Sequence, residues 1–103
     1  MKIPKTLKIG GFDWAVETSK DVTNQGNCFG ATHHRTQKIF LEDESTCGKQ
    51  KVEHTLLHEV MHAVWWQQGL TETDADKYEE LVVTAMSMGL YQALKDNKIN
   101  FGG

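Results

Sequence analysis

Two histidines four residues apart, with a glutamate after the first, are the residues of this chain best suited to chemistry: His58-Glu59-Val60-Met61-His62. On an α-helix, positions i and i+4 lie one turn apart on one face, so both imidazoles reach a single ion. Zinc takes imidazole nitrogens at about 2.0–2.1 Å, and a catalytic zinc adds one further protein ligand and a water. Glu59 is rotated about 100° from His58 on such a helix, off the metal but beside that water. The metal lowers the pKa of the water toward neutrality, and Glu59 is placed to take its proton during attack on a carbonyl. The competing reading is two histidines packed in a core. That would leave four ring nitrogens needing partners, at a cost.

His54 extends the pair to an i, i+4, i+8 stripe. His54 and His62 are about 12 Å apart along a helix axis, so all three cannot share one ion. The pair His54/His58 has Thr55 where a base belongs, whereas His58/His62 has Glu59. His54 is therefore expected behind the ligands or at the start of the helix. A third ligand is still needed, and Glu79 and Glu80, near the start of the next helix, are the natural source. Glu79 shares a stripe with Val82, Val83 and Met86, and Glu80 one with Val83, Thr84 and Ser87. Periodicity does not separate them, and neighbouring glutamates usually face solvent, so one of the two is expected to be bland. An oxyanion donor could come from Tyr78, His33, His34 or Arg35, with Tyr78 also a candidate to stand behind the ligands.

These groups need a scaffold. Residues 49–68 contain no Gly or Pro, and Gly69 sits where a helix C-cap belongs. Leu56, Leu57, Val60, Met61, Val64 and Trp65 cover about 180° of that helix, predicting a central, buried element over about 48–68. A second helix, about 74–95, starts at Thr73 with Asp76 three residues on. Its apolar positions are Tyr78, Leu81, Val82, Ala85, Met86, Leu90 and Leu94. The first part of the chain is β-like. Leu7–Ile9, the turn signal Gly10-Gly11 and the alternating Phe12–Glu17 read as one hairpin. Phe29–His33 and Lys38–Leu41, joined by 34–37, read as another, with a polar loop over 21–27. The expected fold is α+β: one domain over 1–103, with a small, mostly antiparallel sheet of three or four strands over about 6–42. This sheet packs on the histidine-bearing helix, and the second long helix follows.

Composition narrows the function classes. The 103 residues allow one core. A net charge of -3 with scattered basic residues argues against a nucleic-acid partner. No stretch has the ~18–20 apolar residues of a membrane span, and the start lacks the apolar run of a signal peptide. A cytoplasmic protein with no membrane partner is expected. Cys28 and Cys47 are then expected as reduced thiols.

Several of these features together resemble the small phage and prophage zinc metallopeptidases related to the ImmA/IrrE group. They are Leu7–Gly11, Gln37–Leu41, Thr55–Ala63, Glu80 with Val83, and Gly89–Asn97. The likeness spans about residues 7–97. It implies a minimal zincin with one zinc per chain and a bacterial host cell as the setting. It also implies that the third ligand is the glutamate nine residues before Gly89, which is Glu80, leaving Glu79 in reserve. Larger relatives are implied to cleave repressors, which makes a regulatory protein one class of substrate. The sequence thus predicts a zinc metallopeptidase acting on a protein or peptide, with Glu59 as general base. The alternative is a metal-stabilised binding module without turnover. Glu59 speaks against it, because a structural site needs no base there.

Overall fold

The computed structural model describes residues 3–19 and 30–99. The expected loop over 21–27, Phe29 and Cys28 lie outside them. Strands β1 (Thr6–Ile9), β2 (Phe12–Ser19), β3 (Gly30–His33) and β4 (Lys38–Glu42) are followed by a single-turn helix α1 (Glu44–Cys47). The long helix α2 (Lys49–Gln67) comes next, then two short 3-10 segments (Leu70–Glu72 and Asp74–Tyr78) and helix α3 (Glu79–Asp96).

The sheet runs β1-β2-β4-β3, and it is mixed. The two hairpins β1/β2 and β3/β4 are antiparallel as their sequences suggest, but β2 and β4 pair in parallel. Side chains explain why β4 rather than β3 takes the central place. Its Ile39 and Leu41 are fully buried, while β3, Gly-Ala-Thr-His, has no large apolar group to bury. Trp14 and Val16 of β2 project to the same face and, with Ile9, Val52, Leu56 and Ala63, form the core between sheet and α2. The other face of β2 and β4 carries Ala15, Glu17 and Phe40, as the strand period of two requires.

Helix α2 ends as its sequence predicts. Gly69 takes φ 76°, and its amide donates to the Trp66 carbonyl at 2.9 Å, the left-handed stop that glycine allows at least cost. Val64, expected inside, is instead exposed.

The second helix departs further from expectation. Thr73 does cap, its Oγ1 accepting from the Ala75 amide, but residues 74–78 form a 3-10 turn and the α-helix starts at Glu79. The Trp65 indole donates to Asp76 at 3.3 Å and ties this turn to α2. Val83 and Ser87 are the buried residues of α3, while Leu81, Val82, Met86 and Leu90 are exposed. The helix presents a narrow polar-lined seam to α2 rather than the broad apolar face that its composition suggests.

Cys47 is disulfide-bonded, not the reduced thiol expected. No helix among the described residues is long and apolar enough to cross a membrane.

Candidate metal centre

Helix α2 places His58 and His62 on the face toward α3, and the 3-10 turn delivers Glu79 and Glu80 opposite them. The Nε2 atoms of the two histidines are 3.2 Å apart. The Glu80 carboxylate completes the triangle, with Oε1 3.2 Å from His58 Nε2 and Oε2 3.2 Å from His62 Nε2. These three side chains could hold a metal ion. Of the two glutamates that periodicity left open, Glu80 is the one that joins the histidines.

Glu79 is not bland. Its Oε2 lies 2.6 Å from His62 Nδ1, on the far side of the ring from Glu80, and both side chains are largely shielded. A carboxylate only accepts, so His62 Nδ1 carries the hydrogen and Nε2 presents a lone pair. His58 is oriented likewise. Ser87 Oγ, which donates to the Thr84 carbonyl at 3.3 Å, is 3.5 Å from His58 Nδ1 and is left to accept from it. Two ring lone pairs and a carboxylate therefore face one another, with one ligand atom from each within 4.8 Å of the others. A proton on either nitrogen would serve one of these contacts at a time; a divalent cation serves all three.

Sequence reasoning missed Ser87 and the role of Glu79, although Ser87 stands on the Glu80 stripe, two helical turns along. Both supply hydrogen bonds to the outer ring nitrogens, of the kind that hold imidazoles in orientation at metal sites.

Glu59 is buried, outside the ligand triangle, and faces β3. The Thr32 hydroxyl lies 2.7 Å from Glu59 Oε1 and 3.1 Å from its carbonyl oxygen. Gly30 leaves the room for it. A Cβ there would stand 2.7 Å from both Glu59 Cγ and Thr55 Cγ2. No spacing in the sequence announces either contact, because they join positions 25 or more residues apart.

Comparison with protein-family models, curated proteins and solved structures finds no match. The geometry therefore carries the functional argument alone.

The remaining candidates separate cleanly. His54 lies off the centre, its ring stacked on Tyr91 at 5.5 Å, beside a surface depression of about 400 Å³ that also includes Met88 and Lys95. Tyr78 is half exposed, with the Lys77 ammonium 5.2 Å over its ring. His33 packs edge-on against Phe40 on the outer sheet face, and Arg35 is exposed. His34 instead lies flat on Trp66, ring centroids 5.1 Å apart and planes 9° apart.

Proposed function

We propose that this chain is a zinc-dependent peptidase, with His58, His62 and Glu80 holding one zinc and Glu59 acting as general base. The observation that carries this reading is the meeting of two imidazole nitrogens 3.2 Å apart with a carboxylate that sets one oxygen 3.2 Å from each. Ligands about 2.05 Å from a tetrahedral zinc stand about 3.3 Å apart, close to the spacing of the two ring nitrogens. When bound, the ion supplies Lewis-acid polarisation of a carbonyl and a water acidic enough to react near neutral pH.

The chain's own residues do the rest. Thr32 occupies Glu59 Oε1 and fixes the side chain, leaving Oε2 to take the proton of the attacking water and pass it to the leaving amine. Glu79 and Ser87 keep both Nε2 lone pairs turned inward. Among the described residues β3 pairs only with β4, and an extended peptide on its other edge would add to the sheet through backbone hydrogen bonds. An unfolded segment of a protein is the substrate class this favours, and a regulatory protein is the first to try. A metal-stabilised binding module would not need a buried carboxylate anchored beside the ligands.

The test is zinc-dependent cleavage of a pool of quenched-fluorescence decapeptides. Turnover by the wild type that is lost in Glu59→Gln, with zinc content unchanged, is the expected result. A zinc-loaded wild type that cleaves none of the pool, nor an unfolded protein such as reduced casein, would count against the peptidase and for the binding module.

A further inference from the structure

Trp66 follows His62 by one helical turn and continues the stripe His58, His62, Trp66. The ring stacked on it is close enough to His62 and Glu79 to feel their charges. That ring belongs to His34, and its position follows from the run of β3. Gly30 backs onto Thr55 and Glu59, Thr32 bonds Glu59, and His34 reaches Trp66. Positions 30, 32 and 34 thus all face α2, while His33 turns to Phe40 on the other face. Trp14 closes the remaining side of His34, edge-on at 6.5 Å. Two tryptophans hold this imidazole in one orientation.

Its protonation follows from the same surroundings. His34 Nδ1 is buried and has no hydrogen-bond partner. A neutral ring with its hydrogen on Nε2 leaves only a lone pair unpartnered at Nδ1, less costly than an unpartnered N–H. Burial pushes the His34 pKa below its usual value, opposed in part by the negative charge of Glu79, and the charges of His62 and Glu59 also act on it. The ring is thus a neutral donor within electrostatic reach of the metal ligands and the base.

We propose that His34 is a catalytic residue whose Nε2–H donates to the oxyanion developing on the scissile carbonyl, an inference that rests on the peptidase reading above. A neutral donor fixed before the reaction stabilises that charge without reorganisation, and removing one such donor costs about 10²–10³ in kcat. Of the four side chains that sequence offers for this role, His34 is the one that the fold both immobilises and directs to the α2 face.

Two measurements test it. Long-range ¹H–¹⁵N spectra of the zinc-loaded protein at pH 7 should show His34 as the neutral Nε2–H tautomer; an Nδ1–H or doubly protonated ring overturns the proposal. On the best-cleaved decapeptide of the pool, His34→Phe keeps the stack on Trp66 but removes the donor. It should lower kcat about 100-fold with KM within threefold and with zinc content and thermal midpoint unchanged, while His34→Gln should recover part of the loss. Equal turnover by His34→Phe and wild type refutes the role of His34 alone. A wild type that holds zinc and cleaves nothing refutes the peptidase reading and this inference with it.

Discussion

Replacing Glu79 with glutamine separates a residue that orients a ligand from one that is a ligand. The Glu79 carboxylate accepts from His62 Nδ1 at 2.6 Å, and its side chain is 23% exposed. A hydrogen bond to a charged group contributes about 1.5–3 kcal/mol. Water can partly replace this one, and glutamine keeps a weaker acceptor, so the lower part of that range applies. About 1.5–2 kcal/mol corresponds to a 10- to 30-fold weaker zinc affinity at about 1.4 kcal/mol per decade, within the usual span for outer hydrogen bonds to a metal site. The assay is competition for zinc against a chromophoric chelator, with circular dichroism as the control for folding. Glu80→Ala, measured beside it, should remove stoichiometric binding. Unchanged affinity in Glu79→Gln would refute the orienting role. Total loss in Glu79→Gln with retention in Glu80→Ala would reverse the two assignments.

Thr32→Val frees Glu59 Oε1 and should reduce peptide turnover at least tenfold with zinc content unchanged, read from kcat and metal analysis on one preparation. Gly30→Ala forces a Cβ to within 2.7 Å of Glu59 and Thr55; urea unfolding should show a loss of about 1–3 kcal/mol, in line with overpacked cores. Tyr91 donates to buried Glu53 at 3.0 Å, and burial, then that hydrogen bond, push its pKa up to about 12. The folded state thus holds the Tyr91 proton more tightly than the unfolded state does. Its contribution to stability is complete below the unfolded value of about 10 and is lost as pH rises from there through about 12. Phenolate absorbance should resolve a late-titrating tyrosine that is missing in Tyr91→Phe.

Much of this site is legible because helical spacing is local. His58, Glu59 and His62 share one turn of a helix whose C-terminal stop, Gly69, is itself readable. What joins elements is not. Glu79 and Glu80 differ by 100° on α3, and only the docking of α3 against α2 turns one to Nε2 and the other to Nδ1. The 3-10 turn before α3, held by Trp65 and Asp76, sets that docking, and residue periodicity carries no trace of it. The hairpins are local and follow from their turns, whereas the parallel β2/β4 pairing depends on which strand has side chains worth burying. The apolar run of α3 misleads for a related reason. Val83 and Ser87 fill a narrow seam against α2, so Leu81, Met86 and Leu90 stay outside.

The most direct test of the central claim is zinc stoichiometry after chelation, reloading and dialysis, in the wild type and four variants. One zinc per chain is expected in the wild type and in Glu59→Gln, and none in His58→Ala, His62→Ala or Glu80→Ala. A wild type that keeps no zinc above background would contradict that claim, and the convergence of His58, His62 and Glu80 would then be ordinary packing between two helices.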